Sequence, residues 1–296
     1  MPRAQFFQLD VFTERAGGGN PLGVVLGADD WSAPRMQAFA AWSNLVETTF
    51  LLRADDAQAS YRLRIFTPQR EIAFAGHPSI GSAEAALTAG FAVPRDGQLW
   101  QQCQAGLLPI RVEESGPGRR LSVRVPSAQR LPIEAAHALM IERVLAGLPL
   151  GALGVALIAG GRRWWLAELA DEARLRGWQP DHTAIRALAL ASDSLGLCVF
   201  ARSRERAVDL VVRAFPAGVG IQEDPASGAA NGLIAAFIRQ AEPQGALSER
   251  LAQQLRVSQG RELGRDAHLY LHIDAEGEVW IGGHSVMVIR GDLDWR

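Results

Sequence analysis

Phe215-Pro-Ala-Gly-Val-Gly-Ile-Gln-Glu-Asp224-Pro225-Ala-Ser-Gly-Ala-Ala-Asn-Gly-Leu-Ile-Ala-Ala-Phe-Ile238 passes abruptly from a glycine-rich approach into an apolar run. Asp224 followed by Pro225 predicts a helix start. The carboxylate can accept an orphan backbone N–H, and proline needs no donor in a first turn. From there the residues are nearly all small or apolar with no polar stripe, the pattern of a helix enclosed by protein on every side. Its open end, rich in N–H groups, suits an anion.

An earlier stretch has the same grammar. Phe66-Thr67-Pro68 leads through Glu71 to Ala73-Phe74-Ala75-Gly76-His77-Pro78, and then to a small-residue helix closing near Gly90. In both halves a Phe-and-Pro segment, an acid and a small-residue turn precede a buried helix. Such weak internal symmetry points to duplication. Two helix N-termini facing one cleft would concentrate positive potential on a carboxylate-bearing ligand.

The chain has 296 residues, about two domains' worth, and 48% of them are hydrophobic, ample for packed cores. Its 30 basic and 32 acidic residues leave a formal charge of -2, which gives no electrostatic reason to expect nucleic acid or an anionic membrane as partner. Met1-Pro2-Arg3-Ala4 runs into a strand without a secretory apolar core, and no apolar segment is long enough to span a bilayer, so a cytoplasmic protein is expected. Cys103 and Cys198 stand far apart without metal-ligand spacing. They read as small buried apolar residues.

Gln5–Thr13 and Leu22–Leu26 read as strands joined by the Gly17-Gly18-Gly19-Asn20-Pro21 turn. Ser32 and Pro34 open a helix that ends around Asn44. Leu45–Leu52 is β-rich, and two-residue alternation puts Glu47 on one face with Thr49 and Leu51, a carboxylate aimed at a partly apolar surface. Further strands are predicted over 61–66, 107–112, 121–125, 151–159, 196–201, 208–215, 268–273 and 279–290, and helices over 131–148, 181–191 and 248–255. Arg162-Arg163-Trp164-Trp165 reads as an exposed strand edge. Short, mostly hairpin-linked strands with a few helices indicate α+β and not a Rossmann alternation.

Three side chains carry candidate chemistry. His77 sits at a helix mouth, where its ring either satisfies a backbone group or hydrogen-bonds a ligand. Glu47 is either a solvated edge residue or, if desolvated, a carboxyl able to give and take a proton near neutrality. Asp224 serves as a cap, a catalytic group or both. His268, His272 and Asp266 lack a convincing further ligand, so no metal is expected. Acid/base chemistry on a small ligand is the reading these residues leave.

Asp10-Val11-Phe12-Thr13 with Gly19-Asn20-Pro21, then Asn44-Leu45-Val46-Glu47-Thr48, Phe66-Thr67-Pro68 with Gly76-His77-Pro78, and Glu223-Asp224-Pro225-Ala226-Ser227-Gly228 together resemble the phenazine biosynthesis PhzF family. The resemblance runs almost the full chain. It implies a diaminopimelate-epimerase-like fold: two pseudo-symmetric domains, each a curved mixed sheet wrapped around a central helix, with the site between them. The implied division is 1–126 plus 284–296, and 127–283. It further implies a cofactor-free isomerase, usually a homodimer, acting on a small carboxylate such as trans-2,3-dihydro-3-hydroxyanthranilate. In that family a glutamate moves a proton across the ring, and by motif match it is Glu47 here. His77 and Asp224 join it as catalytic positions, while Asn20, Gly76, Ser227, Gly228 and Ala229 fall on substrate-binding ones.

Two departures stand out. Ala229 occupies the place of a substrate-contacting serine, which removes one hydrogen bond to the family substrate. Related epimerases and racemases oppose two thiols, and this reading puts Ala75 and Asp224 at those places, which disfavours a two-cysteine racemase. An amino-acid racemase or epimerase, with Asp224 as second base, and a non-catalytic small-molecule-binding protein are the alternatives.

Overall fold

The computed structural model describes residues 4–115 and 118–295; Met1–Arg3, the lead-in to the first strand, lie outside the described residues. The chain divides into two compact units, residues 1–124 with 282–296, and residues 125–281.

The first unit runs through β1 (Ala4–Val11), β2 (Asn20–Leu26), α1 (Ala33–Ser43), β3 (Thr48–Leu52), β4 (Tyr61–Phe66), the short β5 (Glu71–Ile72), α2 (Gly76–Thr88), β6 (Gln98–Cys103), β7 (Gly106–Ser115) and β8 (Gly118–Arg124). The second runs through β9 (Gln129–Leu131), α3 (Ala135–Val144), β10 (Leu150–Gly160), β11 (Arg162–Leu169), α4 (Glu172–Gly177), α5 (His182–Ala191), β12 (Leu197–Arg202) and β13 (Leu210–Phe215). It continues with α6 (Gly228–Ala241), α7 (Ala246–Gln253), β14 (Leu255–Gln259) and β15 (Ala267–Ile273). After β16 (Val279–Gly283) the chain returns, and β17 (Ser285–Leu293) pairs antiparallel with β1 in the first unit.

The two units repeat one strand pattern. In the first, β1/β2 are antiparallel, β2/β3 parallel, β3/β4 antiparallel, β4/β6 parallel and β6/β7 antiparallel. In the second, β10/β11, β11/β12, β12/β13, β13/β14 and β14/β15 follow the same alternation. Parallel neighbours cannot be joined by a hairpin and need a crossover. The crossovers are helical and equivalent: α1 and α5 bridge the first parallel step, α2 and α6 the second. The duplication read at the two helix mouths therefore extends to the strand order.

α2 and α6 are enclosed, as their compositions predict. Every residue from Gly76 to Ala83 is buried, as is every one from Ala230 to Ile238. Small side chains are what this enclosure requires. A Cβ on Gly81 would lie 2.5 Å from Leu22 Cδ2 and 2.7 Å from Val11 Cγ2, so the helix rests directly on β1 and β2. Burial of Ile234, Phe237 and Ile238 on α6 contributes about 1.5–3 kcal/mol each.

α1 forms where its caps place it. Ser32 accepts from the Arg35 N–H, Pro34 lies in the first turn, and Asn44 closes the helix in the left-handed region at φ 52°. Its inner face is aromatic. Phe39 meets Trp31, Phe50 and Trp295 edge-on at centroid distances of 6.0, 6.3 and 5.2 Å. Such pairs contribute about 0.5–1.5 kcal/mol each beyond area burial.

Several expectations are corrected. Arg162-Arg163-Trp164-Trp165 is an exposed edge only in part: Arg162 and Arg163 are exposed, but Trp164 and Trp165 are buried, and from Trp165 onward β11 has β10 on one side and β12 on the other. The helix predicted over 131–148 is confined to α3, because Gln129–Leu131 instead pairs with β10. Cys198 is buried, but Cys103 is only half-buried.

Candidate active site

In the first unit the site begins where α1 stops. Leu45 and Val46 follow the Asn44 cap, and Glu47 stands one residue before β3. The predicted strand over 45–52 thus starts at Thr48, since the left-handed Asn44 leaves the chain turning until then. The Glu47 carbonyl nevertheless accepts from the Gly23 N–H at 3.4 Å, which prolongs the β2/β3 ladder by one step and fixes its backbone.

His77 enters from α2. It is the second residue of that helix and its side chain is 6% exposed; that of Glu47 is 13% exposed. Their facing atoms, His77 Nε2 and Glu47 Oε2, are 3.4 Å apart without the alignment of a hydrogen bond. Burial pulls the imidazole from 6.5 down to about 3, so at neutral pH the ring is uncharged, with one N–H donor and one acceptor nitrogen.

Buried hydroxyls tie the supporting elements together. Thr48 Oγ1 meets Ser43 Oγ at 2.9 Å, joining β3 to α1; Thr49 Oγ1 meets Ser82 Oγ at 2.8 Å, joining β3 to α2. Ser79 donates to the Ala75 carbonyl and accepts from Gln101 Nε2 on β6, each at 3.0 Å. These bonds fix α1, β3, α2 and β6, the elements around Glu47 and His77, to one another. Gly76 is the buried first residue of α2, and the Ala75 cap position makes no side-chain bond to the first-turn N–H groups. Asn20 lies wholly buried at the start of β2 opposite Val11.

The second unit gathers the other predicted residues around the mouth of α6. The Asp224 N–H donates to the Ala214 carbonyl at 2.9 Å, and its Oδ1 accepts from the Ala226 N–H at 3.2 Å. Helix α6 begins at Gly228, and its cap is Ser227, whose hydroxyl accepts from the Ala230 N–H at 3.3 Å. The expectation that Asp224 caps a helix starting near Pro225 is overturned. Asp-Pro here opens a turn, and a serine three residues later takes the cap. Ser227 and Gly228 are buried, and Ala229 is half-buried.

A further pair of side chains recurs in both halves. Arg64 on β4 holds Glu71 through two bonds of 2.7 Å and lies 5.1 Å from the centre of Phe66. Arg213 on β13 holds Glu223 through bonds of 2.9 and 2.8 Å and lies 5.1 Å from the centre of Phe215. Each glutamate stands five positions before the first residue of its central helix, 71 to 76 and 223 to 228. The signal was present as Arg-x-Phe, then Glu, then four residues and Gly, written twice.

That register carries into the helix mouths. It pairs Ala75 with Ser227, and Asp224 with Ile72. Neither helix mouth carries a cysteine. Burial pushes both thiols up, with the Asp224 charge adding to the effect on Cys198. Among the described residues no three His, Cys, Asp or Glu side chains gather as a metal site, and no helix is long and apolar enough to cross a membrane.

Residues 9–291 match the family model described as phenazine biosynthesis-like protein. The chain is 30% identical to antisense-enhancing sequence 1 of Schizosaccharomyces pombe over 98% of its length and 99% of that protein's. It is 30% identical to the trans-2,3-dihydro-3-hydroxyanthranilate isomerase of Pseudomonas aeruginosa, over 97% and 98% of the two chains. Among solved structures it is similar to the Bacillus anthracis phenazine biosynthesis protein of the PhzF family, with a TM-score of 0.83, 23% identity and 99% coverage of each chain. At that identity the likeness shows the fold, which is the diaminopimelate-epimerase-like one.

Proposed function

The chain belongs to the phenazine biosynthesis-like protein family, and from that membership we propose an isomerase that moves a proton on a small cyclic amino- or hydroxy-carboxylate. The observation that carries this reading is the sheltered Glu47 carboxyl 3.4 Å from a neutral His77.

A carboxylate removed from bulk water is a stronger base than a solvated one, and it can return the proton it has taken. Glu47 takes a proton from carbon at one position of the substrate ring and delivers it to another, so that the enzyme ends as it began. A small shift that closes the 3.4 Å gap lets the uncharged His77 ring complement either state of its neighbour, donating to the carboxylate or accepting from the carboxylic acid. The uncapped mouth of α2 directs its dipole at the substrate's carboxylate and at charge that develops as the C–H bond breaks.

The resemblance puts Asp224 with His77 at catalytic positions, where they orient the substrate's polar groups, and Asn20, Gly76, Ser227, Gly228 and Ala229 at substrate-binding ones. The reading takes a homodimer as the working form and proton transfer without a cofactor as the chemistry. Ala229 in place of the family serine removes one hydrogen bond to dihydro-hydroxyanthranilate, so this chain holds that compound more weakly than the family enzyme does.

The test is isotope uptake in heavy water with trans-2,3-dihydro-3-hydroxyanthranilate. Glu47→Gln keeps the shape and removes the proton acceptor, so incorporation falls by about 10²- to 10⁴-fold. Undiminished uptake in the variant removes Glu47 from its role.

A further inference from the structure

The turn that carries Asp224 is held by a side chain from a distant part of the sequence. Gln259, the last residue of β14, is 1% exposed, and both the nitrogen and the oxygen of its amide are engaged. Its Nε2 donates to the Asp224 carbonyl at 2.8 Å. Its Oε1 accepts from the Ser227 N–H at 3.2 Å and from Asn231 Nδ2 at 2.8 Å. Asn231, wholly buried on α6, also donates to the Ser227 carbonyl at 2.8 Å.

The bond pattern fixes which way both amides point. Turning Gln259 over would set its NH₂ against two donors, and turning Asn231 over would set its oxygen against a carbonyl. The next residue locks the same contact. Gly260 has φ 79°, and a Cβ there would lie 2.3 Å from the Pro225 carbonyl oxygen, so the end of β14 lies directly against the turn. Asp224 thus has its N–H held by β13, its C=O held by Gln259 and one carboxylate oxygen held by Ala226. Both peptide planes at its Cα are fixed, and with them the direction in which the carboxylate leaves the backbone.

The first unit solves the same problem with its own buried glutamine. Gln101, wholly buried on β6, holds Ser79, which in turn holds the Ala75 carbonyl at the mouth of α2. β6 and β14 are the equivalent strands of the repeat, each parallel to the strand that bears the arginine.

We infer that Gln259 is a positioning residue of the active site: it sets the Asp224 carboxylate and the Ser227–Ala229 helix mouth against the substrate while itself touching none of it. The inference rests on the reading that Asp224 orients the substrate. It predicts that replacing Gln259 costs activity only through Asp224, whereas a general loss of stability costs activity whatever stands at 224.

The experiment compares Gln259→Leu and Gln259→Glu with wild type, with Asp224→Asn and with the double variant Gln259→Leu/Asp224→Asn, all as full chains. Gln259→Glu keeps the shape but opposes a carboxylate to the Asp224 carbonyl, so it serves if Gln259→Leu does not fold. Ser192→Ala, which removes a buried hydrogen bond to Trp165 elsewhere in the same unit, controls for stability alone. Two readouts apply.

Peptide-level hydrogen exchange is expected to quicken at least tenfold over 224–231 in both Gln259 variants, with 182–191 unchanged. Unchanged protection over 224–231 overturns the clamp, whether or not the enzyme turns over any substrate. With trans-2,3-dihydro-3-hydroxyanthranilate, kcat/KM is expected to fall at least tenfold in each Gln259 variant and less than twofold in Ser192→Ala. Adding Gln259→Leu to Asp224→Asn is expected to change it less than threefold. A full multiplicative loss in the double variant overturns the positioning role. Wild type without turnover or isotope uptake counts against the proposed function, and the exchange readout then decides the clamp separately.

Discussion

Arg213 grips Glu223 through two parallel hydrogen bonds of 2.9 and 2.8 Å, immediately before Asp224, while its remaining nitrogen, Nη1, reaches the Trp178 and Leu175 carbonyls at 2.6 and 3.2 Å. The side chains are 6% and 9% exposed, against 24% and 19% for the matching Arg64 and Glu71. Removing one partner of a buried pair leaves a charge without compensation. Arg213→Ala is therefore expected to destabilise by about 3–5 kcal/mol and Arg64→Ala by about 1–2 kcal/mol. Urea denaturation checks the order. Equal losses would mean that the difference in burial between the two halves has no energetic weight.

His77 links stability to acid. Its folded-state value is lowered to about 3 from 6.5, so the unfolded chain takes up a proton first as the medium acidifies. This contribution is constant above pH 6.5 and erodes as pH falls from about 6.5 toward about 3. Its full size is on the order of a few kcal/mol. His77→Asn is expected to lose less stability than wild type across that window, as measured by denaturant midpoints at stepped pH. Parallel pH curves for the two proteins would show that the ring is charged in the folded state.

Gly81 has no room for a side chain. Gly81→Ala pushes a methyl group to within 2.7 Å of both Leu22 and Val11 and is expected to destabilise by about 1–3 kcal/mol. Gly177, at the end of α4, faces open space, and Gly177→Ala is expected to be neutral or to stabilise by up to about 1 kcal/mol. Thermal unfolding of the two variants gives opposite signs. A neutral Gly81→Ala would show that α2 can draw away from β1 and β2.

Under the proposed function Ala229 bears on substrate choice. One restored hydrogen bond contributes about 0.5–1.5 kcal/mol, so Ala229→Ser is expected to raise kcat/KM for trans-2,3-dihydro-3-hydroxyanthranilate about two- to tenfold. No change would mean that the family's serine contact does not transfer to this position.

The legibility of the chain varied with the source of each signal. α1 was readable at both ends because Ser32, Pro34 and Asn44 act locally, through their own backbone. α2 and α6 were readable as enclosed helices because small residues fill them on all sides. Asp224 is ambiguous because Asp-Pro at a helix start and Asp-Pro in the preceding turn look alike in sequence, and only the position of Ser227 separates them. β6 and β14 are hidden in the sequence for one shared reason. Their buried faces include Gln101 and Gln259, which count as polar until the partners that satisfy them are seen. The Glu47–His77 contact joins residues thirty positions apart, and no local pattern predicts 3.4 Å.

β1 and β17 are far apart in the sequence, yet they share one ladder from Ala4/Leu293 to Val11/Ser285. On the ribosome the half containing Glu47 and His77 waits for the final strand, while residues 125–281 emerge contiguous and can settle first. Synthesis thus lets residues 125–281 complete before the half that bears Glu47 and His77, and a chain released before residue 285 leaves one edge of β1 open to whatever strand it meets.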